Sequence, residues 1–254
     1  MFSWTEAKHR PIIVAHRGSS AVAPENTLAA FHQAIDDSAD AIELDVRLTK
    51  DGNVVVIHDS KLNRTTDGSG FVNEKTLDEL KTLSAGTWFH RKFSSERIPT
   101  LDEVFKEVKG RIGINIEMKT EGANQSKFDL AERCCQIIKD YRAEDFVFLS
   151  SFHHQLIERV RQINRRLATG LLFRPFTLIG RSPIRIAQRM GVEFIILSGT
   201  SLRKGIVTKA HQQEIQVGEY TINTAARLDR AYRFGVDVIV TDDPAWAKRF
   251  LSSL

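Results

Sequence analysis

Cysteine is almost absent from this 254-residue chain, which has only the adjacent pair Cys134 and Cys135. Neighbouring cysteines rarely bridge each other and neither has a second partner, which excludes a disulfide framework. They read as reduced thiols on a helix of a cytoplasmic protein, the sharper alternative being a vicinal redox switch or metal site. Long apolar runs are missing as well, so no segment spans a bilayer. There is no basic tail and no interleaved basic-aromatic tract, which argues against a nucleic-acid partner. The N-terminal MFSWTEAKHRP mixes acidic and basic residues without an apolar core and is not read as a signal peptide. What remains is an ordinary globular composition, 42% hydrophobic, with a net charge of +4. That mild excess favours anionic substrates or partners without naming one.

The chain is organised around Ile42 to Asp59, IELDVRLTKDGNVVVIHD. Glu43 and Asp45 lie two apart on a strand-like run, so they share a face. Asp51-Gly52 is a turn signal between two β-rich runs, and a hairpin there carries His58-Asp59 back towards the start of the strand. Around this stretch the predicted elements alternate. Strands are expected at 11–15, 41–46, 112–117, 146–149, 168–173, 194–197, 215–220 and 236–240. Helices are expected at 101–108, 125–140, 154–163, 183–190, 204–211, 224–234 and 244–251. An earlier helical pattern opens at Pro24-Glu25-Asn26, with Leu28, Phe31 and Ile35 on one face. Thr100 with Glu103 forms a capping box for the helix at 101–108. Residues 60–99 break the rhythm. They are rich in Thr, Asp, Gly and Ser, with a short helical piece at 77–83, and read as an insertion too short and too polar to hold its own core but long enough to form a flap. Eight strand–helix units in about 250 residues point to a (β/α)8 barrel with a small insertion after the second strand. A doubly wound open sheet is the rival, disfavoured because no strand carries a glycine-rich dinucleotide loop. The whole chain, 1–254, reads as one catalytic domain.

In such barrels the strands' C-terminal ends carry the site. His16-Arg17, Glu43, Asp45, His58, Glu117, Lys119, Tyr220 and Thr241-Asp242 all map there. Three carboxylates buried together raise one another's pKa, and a divalent cation removes that cost. Glu43, Asp45 and Glu117 would ligate it as hard oxygen donors, which suit magnesium, calcium or manganese. Arg17 and Lys119 are placed to neutralise a phosphate, the plainer alternative for Lys119 being a structural ion pair. Asp59 is expected to orient His58 or the hairpin rather than bind metal, and Thr241-Asp242 fits a simple helix start before Pro244. His9, His32, His90, His153, His154 and His211 read as surface or packing residues. Arg159, Arg161, Arg165 and Arg166 read as a solvated helix face and its exit loop.

The runs AHRG, PENT, ELDV and the hairpin ending in HD, followed by NIEMK, SSF, YTIN and GVDVIVTDDP, resemble the glycerophosphodiester phosphodiesterases from about Ile12 to Trp246. The resemblance implies a TIM barrel with an insertion after the second strand. It also implies a metal-dependent hydrolase that cleaves glycerophosphodiesters to an alcohol and glycerol 3-phosphate. On this resemblance the metal ligands fall on Glu43, Asp45 and Glu117, the catalytic histidines on His16 and His58, and phosphate contacts on Arg17 and Lys119. The family segment WTVN reads YTIN here, so Tyr220 keeps an aromatic wall against the substrate and adds a hydroxyl. His16 is expected as base and His58 as acid. Two other functions fit the same residues. One is a lysophospholipase D-type lipid phosphodiesterase, with Phe71, Trp88, Phe89 and Phe93 lining an acyl groove, although these aromatics read more simply as packing the insertion onto the barrel. The other is a non-catalytic phosphoester-binding barrel.

Overall fold

The computed structural model describes residues 3–4, 11–120, 127–175 and 181–254. His9 and the expected helix start at Gln125 lie outside them. The strands are β1 (Ile12–Ala15), β2 (Ala41–Leu48), β3 (Val54–Val56), β4 (Gly113–Met118), β5 (Val147–Ser151), β6 (Ala168–Phe173), β7 (Phe194–Ser198), β8 (Gln216–Tyr220) and β9 (Val238–Thr241). The helices are α1 (Leu28–Asp36), α2 (Leu77–Lys81), α3 (Leu101–Val108), α4 (Lys127–Asp140), α5 (His154–Ile163), α6 (Pro183–Met190), α7 (Lys204–His211), α8 (Ala225–Phe234) and α9 (Pro244–Leu251).

Eight of these strands are parallel and follow one another around the sheet, and β1 pairs with both β9 and β2. The sheet therefore closes on itself as the expected (β/α)8 TIM barrel. The ninth strand, β3, is the return arm of the expected hairpin. It pairs antiparallel with β2, Val46 opposite Val56. That pairing extends β2 two residues beyond its expected end.

Alternation along β1 shows how the core divides. Ile12 and Val14 join an inner cluster with Phe148, Phe194 and Ile196, whereas Ile13 and Ala15 join the larger cluster under the helices. Trp4 packs into the inner cluster, its ring 5.1 Å from that of Phe148 and its Nε1 donating to the Phe146 carbonyl at 2.9 Å. Gly170 makes the room that Phe148 needs, because a Cβ there would lie 2.4 Å from the ring. Cys134 and Cys135 are both buried and unbridged on α4. Burial raises the Cys134 thiol well above its ordinary range and pushes Cys135 up to about 12, so both are poor nucleophiles.

The capping box of Thr100 and Glu103 is present, and Thr76 with Glu79 makes a second one on α2. Residues 60–99 do not close a core by themselves, as expected, but they share one: Leu62, Val72, Leu80, Ala85 and Ile98 form an apolar cluster with Val55 and Ile57 of the hairpin. The missing volume comes from the hairpin, which turns those last two side chains away from the barrel. Among the described residues, no helix is long and apolar enough to cross a membrane.

Candidate active site

β1 runs straight into His16, and the chain then turns sharply. Arg17 and Gly18 both take positive φ, 58° and 83°. Only glycine fits at the second position, because a Cβ on Gly18 would lie 2.6 Å from Ala30 of α1. The turn aims the Arg17 backbone N–H at Glu43 Oε2, 2.9 Å away.

Glu43 and Asp45 share the inner face of β2, and the register sets Asp45 beside Glu117 on β4. One oxygen from each of the three lies within 4.8 Å of the others, and all three residues are buried. Asn26 grips Asp45 from the loop before α1. Its Nδ2 donates to Asp45 Oδ2 at 2.8 Å, and its Oδ1 accepts from the Asp45 N–H at 3.2 Å. Two cations lean on the triad. Lys119 Nζ hydrogen-bonds Glu117 and lies 3.0 Å from Asp45 Oδ1, and Arg17 Nε lies 3.2 Å from Asp45 Oδ2.

The charges do not balance symmetrically. Burial and the Asp45 charge push Glu43 up to about 8. Burial also raises Glu117, against the pull of Lys119. Asp45 is held well below the ordinary carboxylate range, because Lys119 and Arg17 outweigh the effect of its burial. Glu43 Oε1 is buried without a hydrogen bond, and Asp45 Oδ1 is buried with only the ion pair to Lys119. Three converging carboxylates, one with an unpartnered buried oxygen, form a donor set that a hard divalent cation fits.

Each histidine is held at Nδ1 by an aspartate. His16 Nδ1 and Asp242 Oδ1 are 2.6 Å apart, and so are His58 Nδ1 and Asp59 Oδ1. Among the described residues nothing hydrogen-bonds either Nε2, which leaves that nitrogen for a substrate. Burial lowers His16, but the Asp242 hydrogen bond and the Glu43 charge more than reverse it, and the net pKa is raised. At His58 burial wins, with Lys119 and Arg17 adding to it against Asp45 and Asp59, and the net pKa is lowered. Arg47 anchors the His58 backbone, its Nε and Nη2 donating to the carbonyl at 2.8 and 2.6 Å.

Several of these residues escaped the sequence reading. Asp242 is not the helix cap it resembled. Asp243 caps α9 by accepting from the Trp246 N–H at 2.8 Å, and Asp242 holds His16 with support from Asn223. Arg64 of the insertion donates to Asp59 (2.7 Å) and to both oxygens of Glu25 (2.7 and 2.8 Å), and Glu25 in turn accepts from Arg17 at 2.7 Å. One guanidinium thus ties the His58 aspartate to the Arg17 side of the mouth. Replacing Arg64 with Met is expected to lower kcat/KM about 10–100-fold, the usual effect of removing an outer partner of a site. Steady-state kinetics alongside a melting curve checks this, and an unchanged kcat/KM would remove Arg64 from the site.

The Tyr220 hydroxyl donates to the Phe173 carbonyl at 3.0 Å, and its ring stands edge-on to Phe152 at 5.7 Å. The added hydroxyl therefore braces the wall, and burial beside Glu117 pushes its pKa up to about 12. Trp88, Phe89 and Phe93 pack on one another within the insertion, at 5.6 and 5.8 Å between rings. Trp88 Nε1 also donates to the Ala85 carbonyl at 2.9 Å.

Histidines with a free Nε2, next to a site for a hard cation and two fixed cations for an anion, equip a barrel for phosphoester chemistry. The chain belongs to the glycerophosphoryl diester phosphodiesterase family, whose family model matches residues 16–246. A glycerophosphodiester phosphodiesterase of Caldanaerobacter subterraneus subsp. tengcongensis is 38% identical over 236 residues, 92% of this chain and 95% of that one. A glycerophosphodiester phosphodiesterase of Bacillus altitudinis is 33% identical over 232 residues, covering 91% and 94%. Among solved structures, an Oleispira antarctica phosphodiesterase in complex with the product sn-glycerol-3-phosphate superposes with a TM-score of 0.89. It is 28% identical, and the match covers 95% of this chain and 97% of that one.

Proposed function

We propose that this chain hydrolyses glycerophosphodiesters to an alcohol and sn-glycerol 3-phosphate, as one catalytic domain over 1–254 with residues of about 60–99 set beside its mouth. The carrying observation is the buried Glu43, Asp45 and Glu117 triad flanked by two histidines, each with Nδ1 on an aspartate and Nε2 free. A binding module has use for the triad and Arg17 but none for two histidines so held. The three carboxylates would hold one magnesium, calcium or manganese ion, which supplies charge to the phosphoryl oxygens when bound.

Arg17 and Lys119 orient the anionic diester and draw charge from it, and Tyr220 with Phe152 walls one side of the substrate. His58, with its lowered pKa, takes a proton from the attacking water at Nε2. His16, with its raised pKa, donates the Nε2 proton to the departing alkoxide. This ordering reverses the roles expected for the two histidines. A P–O bond to water forms, the P–O bond to the alcohol breaks, and the alcohol leaves with a proton. Two buried thiols without a partner fit a reducing, cytoplasmic setting.

Release of glycerol 3-phosphate from glycerophosphocholine and glycerophosphoethanolamine tests the reading. Release should stop after chelation and return on adding back one of the three cations. Absence of release with every cation and both diesters would sink it.

A further inference from the structure

Away from the triad, a cleft of about 860 Å³ opens between α5 and α6. Its wall contains Arg161, Arg165, Arg174, Arg181 and Arg189 against a single acid, Glu158. Glu193 pairs with Arg161 at 3.1 Å. Among the described residues no carboxylate pairs with Arg165, Arg181 or Arg189. These arginines come from α5, its exit loop, the end of β6 and both flanks of α6. Arg174, just past β6, and Arg181, just before α6, lie at the mouth end of the cleft, and Arg165 and Arg189 lie at the far ends of the two helices. Arg165, Arg181 and Arg189 are exposed, in keeping with the solvated face and exit loop expected around Arg165, and they nonetheless line one concavity with Arg161 and Arg174.

The cleft borders the catalytic mouth through one aromatic ring. Phe152 is part of the cleft wall, and the Arg174 guanidinium lies 4.8 Å from its ring centre. Lys119 Nζ lies 5.8 Å from the same ring centre, and Lys119 is bonded to the triad. A phosphate held at Lys119 and Arg17 therefore has, one ring away, a basic concavity that serves no step of the hydrolysis.

We propose that the arginine cleft is a subsite for a second phosphate of the substrate. The enzyme then prefers glycerophosphodiesters that carry a further phosphate group over those whose other substituent is neutral or cationic. Guanidinium groups recognise phosphate with paired donors, and a concave surface of one sign draws in the opposite charge. A quaternary ammonium in the same place meets a net positive surface, five arginines against Glu158 among the described lining residues. The proposal rests on the hydrolytic reading and sharpens it to a substrate class.

The test compares kcat/KM for bis(glycerophospho)glycerol with kcat/KM for glycerophosphocholine, each with cation supplied. The proteins are the wild type and the combined Arg174→Gln, Arg181→Gln variant, which removes the two arginines at the mouth end of the cleft. The wild type should favour the two-phosphate substrate by about tenfold or more at low salt, and the preference should shrink as salt is raised. The variant should lose about tenfold on that substrate and keep its rate on glycerophosphocholine, in keeping with the loss of charge-assisted contacts. Arg181→Gln alone should move the ratio the same way by less. A wild type without the preference, or a variant that leaves the ratio unchanged, overturns the proposal. Calorimetric binding of bis(glycerophospho)glycerol to the His16→Ala protein, with and without the two changes, separates the two levels. A binding difference without turnover on any diester leaves the cleft standing and removes the hydrolytic reading. Equal binding removes the cleft whatever the turnover.

Discussion

Replacing His16 or His58 with alanine is expected to lower glycerol 3-phosphate release by about 10²–10⁴-fold, the range that a positioned acid or base contributes. Cation binding should survive, because neither histidine is one of the three converging carboxylates. The pH profiles should differ between the two variants. A base works when neutral, and His58 lies below the ordinary value of 6.5, so the wild-type rate falls on the acid side as His58 gains a proton. An acid works when protonated, and His16 lies above that value, so the rate falls on the alkaline side as it loses one. His58→Ala should therefore erase the acid limb and His16→Ala the alkaline limb. The opposite pattern would return the roles to those first expected, and wild-type rates in both variants would end the scheme.

A second large effect concerns the cation itself. Without it Glu43 sits near 8, raised by burial and by Asp45, so the group is mostly protonated at neutral pH. Ligation requires the carboxylate, and binding must release that proton. Affinity should climb about tenfold per pH unit between pH 6 and 8 and level off above, which follows from one proton exchanged per ion. Calorimetric titration of chelator-treated protein in buffers of differing ionisation enthalpy reads the proton count directly. Glu43→Gln should abolish both the release and most of the affinity. A slope of zero across that range would mean that Glu43 is already ionised or lies outside the coordination set.

Much of this arrangement could be read from sequence because it is local. Period-two spacing alone puts Glu43 and Asp45 on one face, and Asp51-Gly52 returns His58 to them. The strand–helix rhythm then brings Glu117 alongside, because consecutive parallel strands are neighbours. What sequence obscured depends on distinctions finer than spacing. Asp242 and Asp243 are chemically identical neighbours, and only the exit angle of β9 decides which one caps α9 and which reaches His16. Arg64 sits in a stretch without periodicity, so nothing local announces that it grips Asp59 and Glu25. The small core under the insertion was hidden because it borrows Val55 and Ile57 from the return arm of the hairpin.

The seam between β1 and β9 also ties one histidine to the closure of the barrel. His16 lies one residue past the first strand and Asp242 one past the last, a separation of 226 residues. Bringing such distant partners together is entropically demanding, and it requires the eight parallel strands to be in place. The hairpin with Glu43, Asp45 and His58, by contrast, needs only contacts near in sequence. The His16–Asp242 pair is therefore a reporter of complete closure: a chain with an open or misregistered seam keeps its hairpin and loses this pair.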